Sequence, residues 1–195
     1  MKIDEEKAAL RASAKAVRDL AHEKHGQHAF ERIASHAISF ADPAPGAIVS
    51  GFLPIRSEVD PRPLMSHLNC QGHTTALPVM VGKGKPLLFR TWSAGEPLQK
   101  VVWGIMEPPV SAPVVIPDII LVPLLAFDDR GFRVGYGGGF YDRTIESLRA
   151  GSKITTIGLA FDEQKIEAVP HLDHDEPLDW VLTPSGPLHC SRPTG

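Results

Sequence analysis

The spacing of apolar residues near the start of the chain predicts two amphipathic helices. The first contains Leu10, Ala14, Val17 and Ala21, and the second contains Phe30, Ile33, Ala37 and Phe40. Because intervals of three and four residues place side chains on one face of a helix, each segment is expected to pack that face against a core.

Short apolar runs rich in β-branched residues follow and predict strands. They cover residues 47–53, 76–81, 86–90, 119–122, 154–160 and 180–182. A further helix is predicted between the first two runs, with Asp60 as its cap, Pro61 in its first turn and Gly72 at its end. Strands that alternate with helices predict an α/β fold, with a largely parallel sheet that helices flank in layers.

The proline-rich segments predict connections between these elements. Residues 42–46, 107–117 and 184–193 are expected to be loops, and the chain from about residue 184 is expected to be a loose tail. Residues 82–85, Gly-Lys-Gly-Lys, lie between two predicted strands and indicate a hairpin turn.

Residues 133–142 are the most informative stretch, and they read Arg-Val-Gly-Tyr-Gly-Gly-Gly-Phe-Tyr-Asp. The glycines remove side chains that would keep the backbone away from a bulky anion, and they permit positive φ. Phe140, Ile145 and Leu148 follow at helical spacing with Gly151 as a stop, so a helix is predicted near residues 140–150. A glycine loop that leads into a helix predicts a phosphate site.

The same glycines could instead form only a tight turn. The order of strand, polar loop, glycines and helix favours a ligand site, because α/β proteins bind ligands at strand ends. Neither common nucleotide fingerprint fits. G-x-G-x-x-G would need glycine at Phe140, and the Walker pattern needs Lys-Ser/Thr after its last glycine. The prediction is therefore phosphate binding by an unusual loop.

Composition and charge narrow the partners. The chain has 195 residues, which suits a single domain over residues 1–195, and its net charge is −3. This charge gives no general attraction to nucleic acid or to anionic membranes, so neither is a predicted partner. Cys70 and Cys190 form no ligand motif, and no apolar run approaches the ~20 residues that span a membrane. A cytoplasmic monomer is expected.

The run over residues 123–143, PLLAFDDRGFRVGYGGGFYDR, resembles the signature of the 5-formyltetrahydrofolate cyclo-ligase family. Further segments occur in the family's order: Lys7-x-x-Leu10-Arg11, Glu58-Val59-Asp60, Gly104-Ile105-Met106-Glu107-Pro108, Gly158-Leu159-Ala160-Phe161 with Gln164, and Val169-Pro170 followed by His174-Asp175. The chain departs from the family's usual residues at Leu124, Val134 and Phe140. The resemblance covers nearly the whole chain and implies the layered architecture shared by sugar-phosphate isomerases and CoA transferases.

The resemblance implies a reaction and a set of site residues. The reaction converts 5-formyltetrahydrofolate and ATP to 5,10-methenyltetrahydrofolate, ADP and phosphate with Mg²⁺ as cofactor. Phosphorylation turns the formyl oxygen into a good leaving group. Catalytic roles are implied for Lys7, Arg133 and Tyr141. The implied ATP site consists of Lys7, Arg11, Arg133, Val134, Gly135, Tyr136, Gly137, Gly138, Gly139, Phe140 and Tyr141.

The folate and metal ligands are likewise implied by the resemblance. The folate site would contain Leu53, Glu58, Trp103, Glu107, Tyr136, Gly137, Gly138, Gly139 and Phe140. Mg²⁺ would be bound by Asp142 and Asp175, consistent with its preference for oxygen ligands and few carboxylates. Asp142 could instead cap a helix, the aromatic residues could belong to the core, and Lys7 and Arg11 could lie on a solvated helix face.

Two other functions stay open at this point. A relative of the family could use ATP on another substrate, although Glu58 and Tyr141 argue against this. A folate- or nucleotide-binding module without catalysis is also possible, although both metal carboxylates are present. A sugar-phosphate isomerase would share the fold, but the sequence shows no obvious proton-abstracting pair.

Overall fold

The computed structural model describes residues 2–101 and 104–191. Its helices are α1 (Lys2–His36), α2 (Arg62–Cys70) and α3 (Phe140–Arg149). The two predicted N-terminal helices are the two parts of α1, which Gly26 separates with φ 32° and ψ −120°. The second part ends earlier than predicted, because Ala37 is left-handed at φ 51° and Phe40 lies in the 3₁₀ turn Ser39–Ala41.

The other two helices begin close to where the sequence places them. Asp60 accepts a hydrogen bond from the amide of Arg62 at 3.0 Å, which satisfies one of the free amides at the start of α2. Helix α3 begins directly after Gly139, as predicted.

The strands fall on all six predicted runs and add several short ones. They are β1 (Ile48–Ser50), β2 (Thr74–Val79), β3 (Leu88–Thr91), β4 (Gln99–Lys100), β5 (Met106–Glu107), β6 (Val114–Val115), β7 (Ile119–Pro123), β8 (Ala126–Phe127), β9 (Arg133–Val134), β10 (Thr155–Leu159), β11 (Trp180–Thr183) and β12 (Gly186–His189).

One large sheet organises the described residues, in the order β12-β11-β10-β7-β1-β2-β3-β6. The pairs from β11 to β2 are parallel, and antiparallel strands close both edges. The turn over residues 82–85 joins the antiparallel pair β2 and β3, so the predicted hairpin is confirmed. The largely parallel α/β sheet is confirmed as well.

Alternate residues of β7 show how the two faces of the sheet are covered. Ile119 and Leu121 point into a core with α1 and α2, whereas Ile120 and Val122 pack with Ile145 of α3. A strand that is buried on both faces reads as a continuous apolar run, which explains why β7 is easy to recognise in the sequence.

Two sequence expectations need correction. The chain after residue 184 is not a loose tail as far as the structure describes it, because β12 pairs with β11 and Cys190 is buried. Residues 107–117 are not all loop, because they contain β6 at the sheet edge.

The face that α1 presents to the core also differs from the prediction. Val17 is 41% exposed, whereas the neighbouring Arg18 is 1% exposed.

Within the described residues, no helix is both long enough and apolar enough to cross a membrane.

Candidate active site

A cavity of about 1130 Å³ lies where β1, β2 and β7 end and α3 begins. Its lining includes these predicted site residues: Lys7, Arg11, Leu53, Glu58, Glu107, Arg133, Val134, Gly135, Tyr136, Gly137, Gly138, Gly139, Phe140, Tyr141, Asp142 and Asp175. Trp103, the other predicted ligand, lies outside the described residues. The cavity is at the upper end of the range for small-molecule sites, and it occupies the carboxyl edge of a parallel sheet, where α/β proteins bind ligands.

The glycine loop connects β9 to α3 and needs glycine at two defined positions. Gly137 has φ 91°, and Gly139, the residue before α3, has φ 63°. Gly138 is not left-handed, although a Cβ there would lie 2.9 Å from the Phe140 ring. The loop therefore enters the helix through backbone conformations that residues with a side chain rarely adopt, and the first residues of α3 line the cavity.

Two arginines lie against this loop. Arg11 donates from Nε to the carbonyl of Gly135 at 3.1 Å, and Arg143 donates from Nη2 to the carbonyl of Gly138 at 2.6 Å. The Arg143 guanidinium also lies 5.4 Å from the centre of the Phe140 ring. Both guanidiniums can supply positive charge to an anion at the predicted phosphate loop.

Two ion pairs connect the predicted catalytic cations to the predicted metal carboxylates. The Lys7 ammonium donates to Asp175, and Lys7 is 7% exposed. Arg133 donates to Asp142 at 2.8 Å and to the carbonyl of Glu176 at 2.6 Å. Burial alone would raise the pKa of the Asp175 carboxyl, but its hydrogen bonds from Lys7 and from the Leu172 amide hold that pKa below its ordinary value.

Glu58 is a further carboxylate in the lining of the cavity. It is 3% exposed, and its Oε2 accepts a hydrogen bond from the amide of Ile55 at 2.8 Å. Burial raises the pKa of Glu58, because a low-polarity environment disfavours the charged form. A buried carboxylate with unused acceptor capacity can bind a polar edge of a flat ligand.

Two further predicted residues have structural contacts as well as a place in the cavity lining. Glu107 is buried and accepts the amide of Met80 at 2.9 Å, which connects β5 to the end of β2. Burial raises the pKa of Tyr141 far above its ordinary value, and the charge of Glu58 adds to this effect. Tyr141 is therefore a neutral hydroxyl donor at physiological pH.

The sequence analysis missed Arg18 and Arg143. Arg143 ends the YDR run in the first turn of α3, so a signal existed in the sequence: a cation directly after the glycines. Arg18 gave no such signal, because an arginine in an amphipathic helix normally points to solvent.

The donor set at Asp142 and Asp175 fits Mg²⁺. Within residues 2–101 and 104–191, no three His, Cys, Asp or Glu residues converge as they would in a metal site built from protein alone. Mg²⁺ is commonly bound through one or two carboxylates together with phosphate oxygens, and both aspartates line the same cavity as the glycine loop.

Comparison with known proteins gives one consistent result. A profile of the 5-formyltetrahydrofolate cyclo-ligase family matches residues 3–184. The 5-formyltetrahydrofolate cyclo-ligase of Haemophilus influenzae is 33% identical over 162 residues, which is 80% of this chain and 86% of the relative. The enzyme of the same name from Escherichia coli K12 is 37% identical over 143 residues, which is 70% of this chain and 78% of the relative.

Solved structures agree with this comparison. The 5,10-methenyltetrahydrofolate synthetase of Aquifex aeolicus is 27% identical with a TM-score of 0.79, and the match covers 97% of this chain and 95% of that one. The synthetase of Mycoplasma pneumoniae is 21% identical with a TM-score of 0.70 and shares the fold, over 91% of this chain and 98% of that one.

Proposed function

The chain belongs to the 5-formyltetrahydrofolate cyclo-ligase family and is an enzyme of that family, and we propose that it works by ATP-dependent phosphorylation of the formyl oxygen. The observation that carries this proposal is the cavity, where the glycine loop, Lys7, Arg133 and the buried Glu58 meet. The cavity thus combines groups that suit a polyphosphate with groups that suit a polar heterocycle.

The proposed reaction has two chemical steps. The formyl oxygen attacks the γ-phosphorus of ATP, and the bond from that phosphorus to ADP breaks. The bridge nitrogen of the folate then attacks the formyl carbon, a new C–N bond closes the ring, and the carbon–oxygen bond breaks with release of phosphate. The bridge nitrogen loses its proton in the process. A phosphate leaves readily where an oxide ion would not.

The protein contributes mostly position and charge. The amides at the start of α3 and the glycine loop bind the phosphates, and Arg11 and Arg143 lie against that loop. Lys7 and Arg133 neutralise charge that develops during phosphoryl transfer. Both cations are paired with carboxylates, and the phosphates of ATP would offer them further anionic partners, so neither charge is buried alone.

Asp142 and Asp175 would hold Mg²⁺, which would neutralise charge on the phosphate oxygens when bound.

The enzyme is proposed to act on its small-molecule substrates as a single-domain monomer in the cytoplasm. Elution at the monomer mass on a calibrated sizing column is expected, and a dimer mass would contradict it.

The direct test of this function is a reaction mixture with 5-formyltetrahydrofolate, ATP and Mg²⁺. The absorbance of the methenyl product should appear, with one phosphate released for each methenyl group formed. Because the formyl oxygen must be phosphorylated before it leaves, omission of ATP should stop product formation. Product formation at the full rate without nucleotide would refute the proposal.

Asp142→Asn is expected to weaken Mg²⁺ use far more than it weakens folding. The amide keeps the shape of the side chain but loses the charge that the cation needs. The Mg²⁺ concentration for half-maximal rate should rise on the order of tenfold or more. Asp129→Asn is the matched control, because Asp129 is exposed and pairs with Lys165 away from the cavity. Superimposable Mg²⁺ titrations of the Asp142→Asn and wild-type proteins would remove Asp142 from the metal site.

Glu58→Gln is expected to raise the KM for folate and leave ATP affinity nearly unchanged. Loss of charge-assisted hydrogen bonds should cost about 1–3 kcal/mol of folate binding. Since the pKa of Glu58 is raised, its carboxyl gains a proton at a higher pH than an exposed glutamate does. Wild-type folate affinity should therefore fall as the solution becomes mildly acidic, whereas the variant should lack this component. An equal loss of ATP affinity would show that Glu58 shapes the whole cavity.

A further inference from the structure

Arg18 is a buried charge that the reaction described above does not use. It lies on α1 with 1% of its surface exposed. A guanidinium stays protonated in proteins, and its burial is costly unless its donors are satisfied. The contacts of this side chain should therefore explain why the chain has an arginine here.

The guanidinium contacts three segments that border the cavity. Its Nη1 donates to the carbonyl of Leu124, just after β7, at 3.3 Å and lies 3.6 Å from Glu58 Oε1. Its Nη2 donates to the hydroxyl of Tyr136 in the glycine loop. One rigid guanidinium thus contacts both Glu58, the proposed folate ligand, and Tyr136 of the glycine loop.

The orientation of Arg18 is fixed from behind. Its Nε donates to the hydroxyl of Ser57 at 3.2 Å, and that hydroxyl in turn donates to Asp19. Asp19 is paired with Lys15 at 2.7 Å on the same helix. These bonds leave the planar guanidinium little freedom. A movement of Tyr136 or of Glu58 therefore acts on the other residue through Arg18.

We propose that Arg18 is a positioning residue that couples the folate half of the site to the nucleotide half. It holds Glu58 ready to accept hydrogen bonds from the folate, and it holds Tyr136 so that the glycine loop keeps its phosphate-binding shape. This inference rests on the proposed function. Its consequence is that each substrate binds more tightly when the other is present, since both stabilise one arrangement of the guanidinium.

The charges around Glu58 give the inference a pH signature. Among the described residues, Arg18 faces Glu58 from α1, the Ile55 amide faces it from its own loop, and Tyr141 faces it from α3. Burial raises the pKa of Glu58, and Arg18 opposes this rise. Removal of Arg18 should therefore move the acidic loss of folate affinity to higher pH.

The test compares Arg18→Met and Arg18→Lys in the full chain, with Arg32→Met as the matched control. Arg32 lies on the same helix, and its bond goes to the carbonyl of Pro184, away from the cavity. Calorimetry measures 5-formyltetrahydrofolate and ATP binding, each alone and in the presence of the other, across a range of pH, and thermal unfolding measures stability.

For Arg18→Met, folate affinity should fall at least tenfold, and its further loss in acidic solution should begin at a higher pH. The mutual enhancement of the two substrates should disappear. Arg18→Lys should return the acidic loss of folate affinity to the wild-type pH range, because an ammonium still stabilises the Glu58 carboxylate. Arg32→Met should match the wild type. An Arg18→Met protein that loses stability but keeps its affinities, pH profile and mutual enhancement would overturn the inference.

If Arg18→Met does not fold, Tyr136→Phe decides the question. It removes the hydroxyl that Arg18 contacts and keeps the ring, so mutual enhancement should fall at least threefold. Unchanged enhancement would overturn the inference. The proposed function fails separately, if the wild-type protein itself binds neither substrate.

Discussion

Gly139→Val is expected to reduce ATP binding below detection while the protein remains folded. Gly139 has φ 63°, and a Cβ there would lie 2.6 Å from Nη1 of Arg143. A β-branched residue is strained in this conformation by about 1–3 kcal/mol, and it would displace both the loop and an arginine that lies against it. Calorimetry with ATP and Mg²⁺, together with thermal unfolding, measures the two effects separately.

Gly151→Val is the matched control for this experiment. Gly151 follows α3, has no left-handed φ, and has no atom within 4 Å of the position that a Cβ would take. Its ATP binding should equal that of the wild type. Normal ATP affinity in the Gly139→Val protein would refute the phosphate role of the loop, and a collapsed fold would show that the glycine serves packing first.

Arg133→Gln is expected to lower kcat by about 10²–10³ with a much smaller change in KM. Arg133 lines the cavity and donates to Asp142, and under the proposed mechanism its loss removes charge stabilisation that matters most in the transition state. Steady-state rates at saturating ATP and folate provide the measurement. Arg133→Lys should retain part of the rate, because it keeps the charge but loses the two-pronged contact. A kcat within threefold of the wild type would assign Arg133 a structural role.

The position of Gly139 illustrates what the sequence could and could not predict about the loop. The density of glycines and the helix after them were sufficient to predict an anion site. The sequence could not show which of these glycines has a left-handed backbone. Gly138, at the centre of the three consecutive glycines, is not left-handed. A substitution at Gly138 is therefore expected to act through crowding of the Phe140 ring, with a smaller effect than at Gly139.

The fold was predictable where burial leaves a continuous apolar run. β7 is such a strand, and it falls where the sequence places it. β10 is interrupted by Thr155, Thr156 and Gly158 but is largely buried, and it also falls within its predicted run. β12 was missed, because Gly186, Pro187 and the exposed His189 carry no strand pattern. A proline is tolerated in this strand because the strand lies at the edge of the sheet, where one side of the ladder is unpaired.

Beyond the glycine loop, the site residues were predictable only through the family resemblance. Lys7 and Asp175 form a pair although they are 168 residues apart, and nothing in their local spacing announces the contact. The burial of Arg18 could not be predicted from the sequence of α1. The helical pattern favoured Val17 for the core, whereas the hydrogen-bond partners of the buried Arg18 come from distant segments of the chain.

The central claim is that the formyl oxygen itself accepts the phosphoryl group, and an isotope experiment tests it most directly. The substrate is 5-formyltetrahydrofolate labelled with oxygen-18 in the formyl group, in ordinary water with ATP and Mg²⁺. Mass spectrometry of the released phosphate should find one labelled oxygen for each methenyl group formed, because the C–O bond breaks after the P–O bond has formed. Label recovered in water, with unlabelled phosphate, would contradict the claim.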